Sequence, residues 1–225
     1  YKTSRRCCPA FSPITKMSPG FFITLEGGEG TGKSTQSALL ASKLEARSFP
    51  VLQTREPGGS PAAEEIRNLL VNGNPQSWSP EAEALLIYAA RDDHLRRVIV
   101  PAIDDGKFVI CDRFIDSTWA YQGVAGGVDA ELLALLETHV VGKYAPDLTL
   151  IFDLDAKTGL ARAMGRGEGR EGRFEAKGLE YHQKIRQAFL QIADRFPQRC
   201  VVVDASQSVE DIEAGVWQIV GDRFF

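Results

Sequence analysis

Short, continuous apolar runs alternate along this chain with longer stretches in which apolar residues return every three or four positions. The runs at 21–26, Val51–Thr54, Phe108–Asp112, Leu148–Asp153 and Cys200–Asp204 read as strands buried on both faces. The periodic stretches at about 33–46, 61–72, 80–104, 129–142, 156–164, 178–196 and 208–223 read as helices. Two helix starts carry their own punctuation. Ser79-Pro80-Glu81 offers a capping hydroxyl, a proline in the first turn and an acid at the positive end, and Ser208-Val209-Glu210-Asp211 is similar. Strands of this kind, each followed by a helix, predict an α/β fold: a five-stranded parallel sheet flanked by helices on both faces.

Composition narrows the picture. At 225 residues, 44% hydrophobic and 25% charged, the chain suits a single α/β domain. Residues 1–16 differ from the rest. They hold Lys2, Arg5, Arg6 and Lys16, the pair Cys7-Cys8 and no acid. They are expected to be a leader upstream of a domain starting at Met17 and running to residue 225, with the remnant of an organellar targeting peptide as the alternative. A formal net charge of −4 argues against a nucleic-acid partner. No apolar run approaches the ~20 residues of a membrane span. Cys7, Cys8, Cys111 and Cys200 lack metal-site spacing and suggest reduced thiols in a cytoplasmic protein.

The most specific chemistry lies between the first strand and the first helix. Gly27-Gly28-Glu29-Gly30-Thr31-Gly32-Lys33-Ser34 fits the phosphate-loop pattern G-x-x-x-x-G-K-[ST], and Thr35 opens the helix. Such a loop points backbone N–H groups at a triphosphate, beside the positive end of a helix. Lys33 supplies a point charge to the outer phosphates, and Ser34 can ligate Mg²⁺. Asp112, at the end of a buried strand, is well placed for the same ion, and Arg113 would project from the same carboxyl edge of the sheet. Thr118, Tyr121 and Gln122 are spaced to share one face of a helical turn. Thr54-Arg55-Glu56-Pro57-Gly58-Gly59 makes a rigid turn after the second strand. Arg91 ends an apolar helical stretch; kept inside a pocket, it needs an acceptor that a nucleobase carbonyl could provide. Gly165–Arg173 holds four glycines and three arginines and reads as a flexible lid over phosphates, spanning about 165–177. His94, His139 and His182 are isolated on predicted helices and read as structural.

In this combination and order, the segments Gly27–Thr35, Thr54–Gly59, Tyr88–Arg91, Asp112–Gln122 and the basic lid resemble the thymidylate kinase family, from Phe21 to about Val220. The resemblance implies a P-loop, nucleoside monophosphate kinase-like fold and the reaction ATP + dTMP → ADP + dTDP with Mg²⁺. It puts Lys33 and the loop amides on ATP, and Glu29 near the sugar 3′-hydroxyl. Arg113 and Arg67 fall near the monophosphate. Arg91, Thr118 and Gln122 fall on the base, and Tyr121 where a 2′-hydroxyl would sit. Glu56, Pro57 and Ile87 complete the substrate wall, with Ile87 standing where several relatives place a phenylalanine. No arginine lies inside the loop, while Arg162, Arg166, Arg170 and Arg173 lie in or before the lid. The sequence therefore looks like the lid-arginine, bacterial type, with Lys33, Arg113, Arg166 and Arg173 as the catalytic cations. A homodimer is implied, with helices such as 80–104 and 129–142 at its contact. A kinase for another nucleoside monophosphate, or a P-loop switch without kinase turnover, uses much of the same pattern.

Overall fold

The computed structural model describes residues 19–71, 77–165 and 177–225. The leader expected at 1–16 and most of the expected lid, with Arg166, Arg170 and Arg173, lie outside the described residues.

Five strands form one parallel sheet: β1 (Phe21–Gly27), β2 (Val51–Arg55), β3 (Phe108–Asp112), β4 (Leu148–Asp153) and β5 (Cys200–Asp204). Their order is β2-β3-β1-β4-β5. The period of two along each strand divides the apolar runs between two faces. Ile23 and Leu25 of β1 and Ile110 of β3 face one cluster. Leu40 and Leu44 of α1 (Lys33–Glu45) and Val216 and Val220 near the C-terminus complete it. On the other face, Phe22, Val109 and Cys111 pack with Tyr88, Leu95, Ile99 and Phe114. That second face also carries two polar residues of β1. Thr24 bonds its register partner Thr149 at 2.8 Å, and Glu26 turns toward the segment after β3.

The remaining helices are α2 (Pro61–Val71), α3 (Pro80–His94), α4 (Val100–Asp104), α5 (Ile115–Thr118), α6 (Ala130–Val140), α7 (Ala156–Met164), α8 (Leu179–Arg195) and α9 (Val209–Phe224). Both punctuated starts cap as expected: Ser79 Oγ accepts from the Ala82 N–H, and Ser208 Oγ from the Asp211 N–H. The stretch 80–104 departs from the expectation of one helix. A π-helical turn, Leu95–Ile99, separates α3 from α4, with the Val100 N–H bonded to the Leu95 carbonyl. Pro101 has no N–H and its ring crowds the preceding turn, and one widened turn accommodates it without breaking the rod. A second departure is residues 115–124, where α5 runs into another π turn, Trp119–Val124. Its Ile, Thr, aromatic and Gly content carries little helix propensity. Burial of Ile115, Thr118, Ala120 and Gln122 decides the conformation instead.

Candidate active site

The phosphate loop leaves β1 at the carboxyl edge of the sheet, between β3 and β4, where the strand order reverses and open α/β sheets bind ligands. Gly32 at the cap of α1 has φ 89°, a left-handed conformation that side chains disfavour. Gly30 is required for a different reason: a Cβ there would fall inside the backbone carbonyl of Gly159, on α7. The loop is thus wedged directly against the helix that leads toward residue 165. Lys33 Nζ folds back over the loop, donating to the carbonyls of Gly27 (3.2 Å) and Gly28 (2.7 Å) and to Thr31 Oγ1 (3.3 Å). Ser34 and Thr35 sit exposed in the first turn of α1. Ser34 Oγ donates to Asp112 Oδ2 at 2.6 Å, so the two residues expected at a metal are brought together. A hydroxyl and a carboxylate oxygen this close form a hard-oxygen pair suited to Mg²⁺ that keeps its waters and phosphate ligands.

Arg113 follows Asp112 with φ 69°, a strained conformation for a residue with a side chain. The fold holds it there. Its N–H donates to the Leu25 carbonyl at 2.9 Å, and Glu26 accepts from the Phe114 N–H (2.8 Å) and Ser117 Oγ (2.6 Å). The Arg113 guanidinium donates to the Gly27 carbonyl (3.0 Å), Ser117 Oγ (3.3 Å) and Glu29 Oε1 (2.7 Å), and lies 5.0 Å from the Tyr121 ring centroid. Tyr121 OH also donates to Glu29 Oε1, at 2.7 Å. Burial alone would raise the Glu29 carboxyl, but the positive charges of Arg113 and Lys33 and the Tyr121 hydrogen bond bring it down to about 2. Glu26 goes the other way, to about 7. Burial and then the charge of Asp116 raise it, against the pull of Ser117, Arg113 and Phe114. Asp116 in turn holds Arg199 in a bidentate pair, both contacts at 2.7 Å.

The far end of the site is organised around Arg91, only 1% exposed. Its Nε donates to Glu56 Oε2 (2.7 Å), and its Nη2 to the Phe114 carbonyl and Thr118 Oγ1 (both 3.0 Å). Among the described residues Nη1 makes no well-formed hydrogen bond, and nor does the buried hydroxyl of Tyr88, whose ring centroid lies 4.7 Å from the guanidinium carbon. His94, expected to be isolated, instead bridges Glu56 Oε1 (3.1 Å) and Thr54 Oγ1 (2.7 Å), because α3 brings it over the turn after β2. It therefore helps hold the carboxylate that positions Arg91. Gln122 Nε2 donates to Glu83 Oε2 at 3.1 Å. Between the two ends runs an open cleft of about 520 Å³. Glu29, Glu56, Pro57, Ile87, Arg91, Arg113, Thr118, Tyr121 and Gln122, all expected in the substrate site, line it.

Arg67 is not among the described residues lining that cleft; it donates to the Pro57 carbonyl at 2.8 Å, in the turn that forms one wall. Sequence reasoning assigned no role to several other contributors, of which Phe114, Asp116 and Ser117 lie within the Asp112–Gln122 motif. Leu70, Val71 and Phe114 supply apolar wall, and Ser117, Glu26, Glu83 and the Asp116–Arg199 pair support the polar groups. Glu26 had a signal in the sequence, as an acid closing an otherwise apolar strand. Gly159 had one too, as a glycine inside a helix.

Comparisons with known proteins point to one family. The family model described as "Thymidylate kinase" matches residues 25–216. The chain is similar to a thymidylate kinase of Caulobacter vibrioides, 54% identical over 92% of this chain and 99% of that protein. It is also similar to one of Magnetococcus marinus, 52% identical over 92% and 98% of the respective chains. Among solved structures, a thymidylate kinase from Ehrlichia chaffeensis superposes with a TM-score of 0.73 at 34% identity, covering 90% of this chain and 100% of that one.

Proposed function

The chain belongs to the thymidylate kinase family, and from that premise we propose which of its residues perform the family's reaction, transfer of the γ-phosphate of ATP to dTMP to give dTDP. Thymine enters the closed end of the cleft against Arg91, and the monophosphate reaches Arg113 beside the phosphate loop. The buried guanidinium of Arg91, whose Nη1 makes no well-formed hydrogen bond among the described residues, supports this reading most strongly. Leaving a buried guanidinium N–H with only the Tyr88 side chain beside it and no well-formed hydrogen bond costs free energy, and a thymine carbonyl would supply the acceptor. Thr118 and Gln122 complete the polar contacts to the base. Pro57, Ile87 and Phe114 supply apolar contact in place of a stacking aromatic at position 87. Tyr121 crowds the 2′ position and so favours deoxyribose.

Phosphoryl transfer asks the protein mainly for alignment and charge neutralisation. The acceptor is already an anion, so no strong general base is required. ATP phosphates draw Lys33 from the loop carbonyls it now contacts, and the dTMP phosphate competes with Glu29 for Arg113. That exchange leaves Glu29 free to accept from the sugar 3′-hydroxyl. Ser34 and Asp112 would hold Mg²⁺, which when bound supplies positive charge to the ATP phosphates. Arg166 and Arg173, outside the described residues, are assigned by family resemblance to the same anionic junction, as part of a lid at about 165–177. Exposed Leu69, Leu85 and Leu135, on α2, α3 and α6, support a homodimer packed through those helices. Among the described residues no helix is long and apolar enough to cross a membrane. Buried, unpaired Cys111 and Cys200 suit a reducing cytoplasm.

A coupled ADP-release assay with dTMP, dUMP, dCMP, dGMP and AMP tests this assignment. We expect dTMP to be fastest and dUMP to lose only the ~1–3 kcal/mol that one methyl group contributes. Purine monophosphates should be rejected by pocket size. Turnover of dGMP as fast as dTMP would refute the pocket.

A further inference from the structure

Glu83, Ile87 and Arg91 follow one another at intervals of four on α3, so they share one face of the helix, and Ile87 and Arg91 line the cleft. Glu83 is 3% exposed and Gln122 is 2% exposed. The contact between them, Gln122 Nε2 to Glu83 Oε2 at 3.1 Å, has a chemical polarity. A primary amide offers an NH₂ that only donates and an oxygen that only accepts, whereas a carboxylate only accepts. Glu83 therefore admits one orientation of the Gln122 amide. Its NH₂ faces the carboxylate, and its oxygen is left for the cleft that Gln122 lines. On the other side, Glu56, the Phe114 carbonyl and Thr118 occupy Nε and Nη2 of Arg91, leaving Nη1 as the donor. The closed end thus offers one fixed acceptor and one fixed donor.

We propose that Glu83 is a specificity-determining positioning residue: by fixing the Gln122 amide, it makes the cleft read the N3–H and carbonyl edge of thymine and reject cytosine. This rests on the reading of the cleft as the base pocket. Thymine presents a donor at N3 beside a carbonyl acceptor. Cytosine presents the reverse, an acceptor at N3 beside an amino donor. A site built to hydrogen-bond one pattern leaves buried polar groups unpaired against the other, and such mismatches discriminate far more strongly than a change in size.

The test is the ratio of kcat/KM for dTMP to that for dCMP, measured with melting temperatures, in wild type and three variants. In Glu83→Gln, the residue at 83 can donate or accept, so the Gln122 amide can turn over. The ratio should fall at least about tenfold, mainly through improved use of dCMP. The double variant E83Q/Q122E reverses donor and acceptor in the pair but again turns an accepting oxygen to the base, now a carboxylate's in place of the amide's. It should restore the ratio to within about threefold of wild type, a rescue that lost packing cannot produce, and it remains informative if E83Q alone folds poorly. Gln122→Met removes both polar groups and should raise the KM for dTMP. An unchanged ratio in E83Q, or no restoration in the double variant, overturns the role of Glu83 while the pocket stands, provided Q122M raises the KM. An unchanged KM for dTMP in Q122M removes the base-pocket reading of Gln122 and this inference with it.

Discussion

The wedge between the phosphate loop and α7 makes Gly159→Ala the sharpest single perturbation of this molecule. A methyl group on Gly159 would sit closer to the Glu29 carbonyl oxygen than the 3.0 Å that real Cβ atoms keep. Restoring an ordinary carbon–oxygen contact of about 3.3 Å requires the loop and helix to separate by something approaching 1 Å. Two effects on stability oppose each other. Overpacking costs about 1–3 kcal/mol, while alanine gains about 1 kcal/mol over glycine in a helix. The net loss should therefore stay within about 2 kcal/mol. The effect on chemistry is not offset. Glu29 carries the carboxylate that meets Arg113 and Tyr121, and a displacement of this size near reacting groups can cost ~100-fold in rate. We expect kcat to fall at least about tenfold in steady-state assays while the free energy of urea unfolding falls by no more than about 2 kcal/mol. Gly215→Ala and Gly221→Ala are the controls. Both glycines lie in α9, where an added Cβ meets no described atom outside the helix's own backbone within 4 Å, so these variants should gain slight stability and keep full activity. A Gly159→Ala enzyme with kcat within twofold of wild type would refute the coupling between loop and helix.

Two further outcomes follow from the buried charges and a third from the Ser34–Asp112 pair. Glu26 holds its proton more tightly folded, at about 7, than at its ordinary value of 4.5, so the stability it contributes is greatest below 4.5 and is lost as pH rises through that window. In denaturant unfolding, Glu26→Gln should gain on wild type between pH 4.5 and 7, by up to something on the order of 3 kcal/mol; a stability difference flat with pH contradicts this. Arg199→Ala strands the buried Asp116 carboxylate and should cost about 3 kcal/mol, and a loss below about 1 kcal/mol would show the pair to be dispensable. Ser34→Ala should raise the Mg²⁺ concentration giving half-maximal rate severalfold with the KM for dTMP unchanged; an unaltered Mg²⁺ requirement removes Ser34 from the metal site.

What could be read from the sequence was what depends on local pattern. The five strands are continuous apolar runs, and the phosphate loop is a spacing of glycines, Lys33 and Ser34 that serves one geometry. Arg91 was legible through the family resemblance, since a charge closing an apolar helical stretch needs an acceptor only if it stays inside a pocket and otherwise reaches water. Elements decided by tertiary contact were not legible. Nothing local distinguishes the α5 segment from a loop, and only its burial between the sheet and α8 makes it helical. The supporting polar pairs were hidden for the same reason. Arg199 and Asp116 stand 83 residues apart, Glu26 and Ser117 91, and Gln122 and Glu83 39, and no periodicity links such positions. Thus the groups that would meet substrate were visible in motifs, while those that aim them emerged only from the fold.

The spatial arrangement proposed for the site is tested most directly by a crystal structure with dTMP bound. Arg91 Nη1 should donate to a thymine carbonyl at about 2.9 Å, and Arg113 should have turned from Glu29 to the monophosphate. A nucleotide bound with its base away from Arg91, Nη1 still unpartnered and Arg113 still paired with Glu29 would contradict it.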